Sequence, residues 1–97
     1  MENIEKQIEV WKKQFGTVFK VVASDGKECF LRKPERKDIA FAEAVGEMFS
    51  INYTERMVTN LWLGGDEEMK TDVGYLVGMR YQIANIAEFR TVEVLKL

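Results

Sequence analysis

Thr17-Val18-Phe19-Lys20-Val21-Val22-Ala23-Ser24-Asp25-Gly26-Lys27-Glu28-Cys29-Phe30-Leu31-Arg32 decides the fold. Two runs rich in β-branched and aromatic residues flank a Ser-Asp-Gly turn, the pattern of a β-hairpin. Two registers compete. A two-residue Asp25-Gly26 turn pairs Val22 with Cys29. A three-residue loop with Gly26 left-handed pairs Ala23 with Lys27 and Val21 with Cys29. The second register gathers Phe19, Val21, Ala23, Cys29 and Leu31 on one apolar face. The other face then carries Lys20, Glu28 and Arg32 beside Val18, Val22 and Phe30. Side chains alternate along a strand, so a one-residue slip mixes these sets. The three-residue loop is therefore expected. A lone two-stranded ribbon is marginal in water, so helices must lie against it.

Working outward, residues 2–15 read as an amphipathic helix, with Ile4, Ile8, Trp11 and Phe15 at helical spacing. Glu2 with Lys6 and Glu9 with Lys13 are i,i+4 pairs in the favourable orientation, and Gly16 ends the helix. Downstream, Pro34 suits a first helical turn. A second helix is expected from residue 34 or 35 to 49, presenting Phe41, Val45, Met48 and Phe49. Asn52-Tyr53-Thr54-Glu55 reads as a variant capping box with Asn52 as cap. The third helix then runs through Met57, Val58, Leu61 and Trp62 until Gly64-Gly65 stops it. Residues 66–70 form an acidic connector, and Thr71 caps the last helix. Residues 72–97 contain no proline and are expected to form one long helix, weakest at the β-branched run Thr91-Val92-Glu93-Val94, which could end as a strand. Leu76, Met79, Ile83, Ile86 and Leu97 fit one stripe of it, while Val73, Val77, Tyr81, Ala84 and Phe89 lie largely off that stripe. A helix apolar on more than one face is expected to be buried on more than one side. The expectation is one α+β domain over residues 1–97: N-terminal helix, β-hairpin, then three helices with a long C-terminal helix.

Composition narrows the chemistry. The 97 residues include no histidine and one cysteine, Cys29. Histidine supplies most general acids and bases near neutral pH and many metal ligands. One cysteine builds neither a zinc cage nor an internal disulfide. In its apolar strand, Cys29 reads as a buried structural thiol. No catalysis, cofactor or metal is expected. The net charge of −2 argues against broad nucleic-acid binding, which needs a surplus of Lys and Arg on one face. No apolar run approaches the ~18 residues of a membrane span, so no membrane partner is expected. Met1-Glu2-Asn3-Ile4-Glu5 has no basic region followed by an apolar stretch, so no secretion signal is expected either. The reducing cytoplasm is the expected compartment.

The remaining constellations concern contact rather than reaction. Gly64-Gly65-Asp66 follows a helix and precedes Glu67-Glu68, the wrong setting for a phosphate loop; it reads as a helix-stopping turn. Asp66, Glu67, Glu68 and Asp72 lack the alternation of a calcium loop and read as a solvated connector. Lys27, Arg32, Lys33, Arg36 and Lys37 are the one basic concentration. They suit either a solvated helix start with local ion pairs or a site for an acidic segment or anion. Trp11 and Trp62 are core residues or interface anchors. Paired carboxylates can do acid–base work, but no such pair stands in an apolar setting.

Leu31-Arg32-Lys33-Pro34-Glu35-Arg36-Lys37-Asp38 leads from a strand into a helix, and Asn60-Leu61-Trp62-Leu63-Gly64-Gly65-Asp66-Glu67-Glu68 ends the next helix. This order, over roughly residues 30–72, resembles small tail assembly chaperone-like proteins of tailed bacteriophages and prophages. The resemblance implies a noncatalytic, cofactor-free protein of the bacterial host cell. It would hold the long tape measure protein soluble while the tail tube assembles. The residues themselves allow two readings: the apolar residues of the outer hairpin face and the last helix either complete the core or leave more apolar surface than a small core needs, which would agree with that role. Such a surplus implies a homo-oligomer or a partner groove, and Met48, Met57 or Met79 would let a groove accept varied helices. The expected partner-contacting residues are Val18, Val22, Phe30, Arg32, Arg36, Lys37, Trp62 and Met79. The competing reading is a small regulatory or nucleic-acid-binding module that uses Arg32, Lys33, Arg36 and Lys37.

Overall fold

The computed structural model describes residues 4–87 and 90–97. Glu2, the proposed partner of Lys6, and Phe89 lie outside the described residues. The chain runs α1 (Ile4–Phe15), β1 (Val18–Val22), β2 (Glu28–Arg32), α2 (Arg36–Val45), α3 (Ile51–Leu61), β3 (Trp62–Gly65), a 3-10 turn (Glu67–Lys70) and α4 (Val73–Asn85). This is the expected mixed α+β order of helix, hairpin and helices, with one strand added.

The hairpin adopts the three-residue loop. Val21 pairs with Cys29 and Phe19 with Leu31. The Ala23 N–H donates to the Lys27 carbonyl at 2.8 Å, and Gly26 takes a φ of 93°. The face sorting follows from that register. Cys29 and Leu31 are fully buried, and Phe19, Val21 and Ala23 pack against the same cluster. Tyr53, Met57, Val58 and Leu61 of α3, Met69 of the 3-10 turn, and Leu76, Met79, Ile83 and Ile86 of α4 complete it. Each fully buried Leu, Ile or Met contributes about 1.5–3 kcal/mol relative to exposure.

The Gly64-Gly65 segment departs from expectation. It is not a helix stop but part of β3, which pairs antiparallel with β2: Leu31 with Trp62, Phe30 with Gly64 and Cys29 with Gly65. The sheet order is β1-β2-β3. Gly65 has a φ of 127°, and a Cβ there would sit 2.5 Å from both the Cys29 Cα and the Glu28 carbonyl oxygen. The glycine permits a close backbone crossing. Two glycines in four residues carry almost no strand propensity, so pairing with β2 creates this strand.

Several helix boundaries also differ. α2 begins at Arg36 with Glu35 in the cap position, which leaves Pro34 just outside the helix. α2 ends at Val45, because Gly46 leaves the helix where α3 comes close: a Cβ at Gly46 would lie 2.5 Å from the Ser50 Oγ. The cap of α3 is Ser50, not Asn52; its Oγ accepts from the Tyr53 N–H at 3.1 Å. That earlier start brings Ile51 against the core. The cap of α4 is Asp72, not Thr71; its Oδ1 accepts from the Gly74 N–H at 2.9 Å. α4 runs 13 residues and stops at Asn85, and residues 90–97 have no regular secondary structure. The buried stripe ends at Ile86, and Leu97 is wholly exposed. Beyond the core nothing offsets the weak helix propensity of Val92 and Val94.

The outer sheet face is not open. α1 lies over it, with the Trp11 and Phe30 ring centroids 5.5 Å apart at 41°. Phe30, expected on an exposed face, is consequently only 3% exposed. None of the described α1 residues is buried, so this helix is held mainly by one edge of Trp11.

Candidate interaction surface

The basic segment is built around one internal ion pair. Arg32 closes β2, and its guanidinium donates to both Asp38 carboxylate oxygens at 2.8 and 2.9 Å. Its Nη2 also donates to the Asn60 carbonyl at 3.0 Å. Asp38 Oδ2 accepts from the Glu35 N–H at 2.8 Å, capping α2. One guanidinium thus joins β2, the start of α2 and the end of α3. Burial alone would raise the Asp38 pKa, but the Arg32 hydrogen bonds and the Glu35 N–H hold its carboxyl below the usual range. The Asp38 hydrogen bonds in turn push Arg32 further up. Arg36 and Lys37 are exposed on the first turn of α2, and the Lys37 Nζ stands 3.7 Å from Glu35.

The expected contact residues therefore scatter. Phe30 and Met79 are both buried; α1 covers the first, and the second reaches the surface only where it lines the hollows between β1 and α4. Arg32 is committed internally. Trp62 is half-buried, with the Lys70 ammonium 4.9 Å above its ring. Val18 is half-buried and Val22 is 59% exposed at the rim of the hairpin. Arg36 and Lys37 lie on a different element from either. No single patch unites the eight. Of the expected methionine groove, Met57 and Met79 are buried and Met48 lies on the surface.

A different apolar surface is present. Val73, Val77 and Tyr81 recur every fourth residue on α4, which puts them on one face, and all three are exposed, Tyr81 at 61%. The Phe49 ring packs on Tyr81 with centroids 5.1 Å apart. Phe49 has a φ of 74°, the left-handed region. It follows Met48 in a turn closed by the Ser50 N–H to the Glu47 carbonyl at 2.9 Å. The ring is thus extended toward α4 at a backbone cost of about 1–2 kcal/mol. Phe41 and Val45, one turn apart on α2, are also exposed. The sequence contains the i, i+4, i+8 signal on α4, but that second stripe reads there as a buried face. Nothing local to Phe49 announces its position.

A second feature lies between β1 and α4. Two adjoining hollows of about 440 and 260 Å³ share Val21, Met79 and Gln82. Tyr75 closes the hairpin end, donating its hydroxyl to Asp25 Oδ2 at 2.6 Å. That bond, with the Lys27 N–H, holds the Asp25 carboxyl below its usual range and pushes the Tyr75 phenol up to about 12. Burial, reinforced by Asp66, pushes the Cys29 thiol up to about 11, leaving it protonated at neutral pH. Asp66 itself accepts from the Glu28 N–H at 2.9 Å, so part of the acidic connector is a tether. Among the described residues, no helix is long and apolar enough to cross a membrane.

Comparison with known proteins finds no matching family model, curated relative or solved structure.

Proposed function

We propose that this chain is a noncatalytic binding protein of the phage tail assembly chaperone type, whose client is an apolar-faced helical segment of a tape measure protein. One observation carries the reading: the Val73-Val77-Tyr81 stripe of α4, continued by Phe49, is an exposed apolar face on a helix whose opposite stripe is buried. Contiguous apolar surface of this kind marks an interaction site. A stripe at i, i+4, i+8 suits a second helix laid along it with its own i, i+3, i+4 and i+7 residues. The tape measure client comes from the resemblance of residues 31–38 and 60–68. The setting that goes with it is the bacterial cytoplasm, where tails assemble.

Co-expression with a tailed-phage tape measure protein tests the reading. A soluble complex is expected, and Val77→Asp with Tyr81→Asp should weaken it at least ~10-fold, the cost of burying an unpaired carboxylate. The variant itself should stay folded and lose only about 0.5–1.5 kcal/mol, the worth of the Phe49–Tyr81 ring contact. Absence of a complex, or full binding by the double variant, would overturn the proposal.

A further inference from the structure

β1 is an edge strand. The Ala23 N–H to Lys27 carbonyl bond makes that pair a hydrogen-bonded one. Antiparallel pairs alternate, so Val21 with Cys29 and Phe19 with Leu31 also bond across the hairpin. Val18, Lys20 and Val22 therefore turn their backbone N–H and C=O groups to the free edge. The cleft between β1 and α4 runs beside that edge, walled by Val21, Gly78, Met79, Gln82 and Ile83. A cleft bordered by a bare strand edge is shaped for one more strand, which would send alternate side chains inward.

The chain carries such a strand. Thr91-Val92-Glu93-Val94-Leu95-Lys96-Leu97 is β-branched and apolar, with no glycine or proline. In the structure Val92 is 85% and Val94 91% exposed. Charge agrees: the two hollows are lined by Asp25 and Asp72 against Lys20, a small negative excess, whereas residues 90–97 carry Arg90 and Lys96 against Glu93. Topology selects the copy. α4 starts near the hairpin tip, where Gly74 lines the larger hollow, and Ile86 lines the other one beside Phe19. To reach its own edge, the segment would have to reverse within residues 87–90 and pair parallel to β1. A segment from another molecule can enter from the tip and pair antiparallel, the slightly more stable arrangement.

We propose that residues 91–97 of one copy add as an antiparallel strand to the free edge of β1 in a second copy, alongside the β1–α4 cleft, and that the exchange is reciprocal. Reciprocal exchange closes a two-fold dimer and covers the β1 edge of each copy.

Sedimentation of the full chain across a wide concentration range tests this. A dimer is expected, and deleting residues 91–97 should weaken it at least ~10-fold through lost main-chain hydrogen bonds. Lys20→Pro should act alike, since its N–H faces outward and β1 keeps its ladder to β2. The deleted chain retains an edge and the Lys20→Pro chain retains a tail, so mixing them should give a one-to-one heterodimer. If Lys20→Pro fails to fold, a peptide of residues 90–97 titrated into the deleted chain should shift the amide signals of Val18, Lys20 and Val22. A full-length monomer at every concentration, a dimer indifferent to the deletion, or a peptide that leaves those amides unmoved overturns the proposal. Val77→Asp with Tyr81→Asp should leave the dimer intact, because neither residue lines the cleft; client binding and self-association therefore fail separately.

Discussion

Arg32 and Asp38 show how much one pair can organise. The Asp38 side chain is 4% and that of Arg32 16% exposed, so removing one partner strands the other's charge. Asp38→Ala should cost about 3 kcal/mol, read from urea unfolding, and should loosen the start of α2. The pH dependence follows from the lowered Asp38 pKa. Its contribution to stability is fully present above the ordinary carboxylate value of about 4 and is lost as pH falls through the lower folded value. Unfolding free energy measured below about pH 4 should therefore drop, and Asp38→Asn should flatten that acid limb. Gly65 is decided by geometry. With a φ of 127° and the Glu28 and Cys29 backbone against any Cβ, Gly65→Ala should cost about 2–4 kcal/mol from left-handed strain and overpacking. Equal stability of the Gly65→Ala chain in denaturant would refute this account of β3. The basic residues were legible as a group in the sequence. Which of them is tied inward was not, because the Asn60 carbonyl that completes the Arg32 site lies 28 positions away.

At the scale of elements, the hairpin was the most legible part. Its alternation admits only one register that keeps Cys29 and Leu31 with Phe19 and Val21, and the structure has that register. β3 was illegible for the opposite reason: Trp62-Leu63-Gly64-Gly65 has no alternation, and only the waiting edge of β2 makes it a strand. α1 was legible as a helix but not in its placement. Its one ring contact on Phe30 and its lack of buried residues make it the most loosely held helix described. A Cβ at Gly64 would come within 3.0 Å of the Trp11 ring. Gly64→Ala should therefore push α1 outward while costing the remainder of the fold about 1 kcal/mol or less. A red-shifted tryptophan emission and faster amide exchange in residues 4–15 would record it; unchanged exchange there would argue against the placement. α4 carried both its stripes in the sequence. That Leu76, Met79 and Ile83 are covered while Val77 and Tyr81 are not depends on α3 and the sheet occupying one side alone.

Across the whole molecule, the radius of gyration is 14.8 Å, against about 13 Å for a compact chain of this length. Residues 90–97 are exposed throughout, so their deletion should leave monomer stability unchanged within about 0.5 kcal/mol, measured by thermal unfolding at low concentration. A larger loss would mean that the segment packs on its own domain. By itself the sequence determined the elements with strong periodicity: the hairpin and its register, the core stripe of α4, the buried Cys29 and the mixed α+β order. These follow from side-chain alternation and helical repeat, which act over a few residues. Only the tertiary structure decided the third strand, the covering of Phe30 by Trp11, the commitment of Arg32 to Asp38, and which stripe of α4 stays bare. Each of these depends on a surface supplied by a distant part of the chain, and burial is shared between the two surfaces that meet.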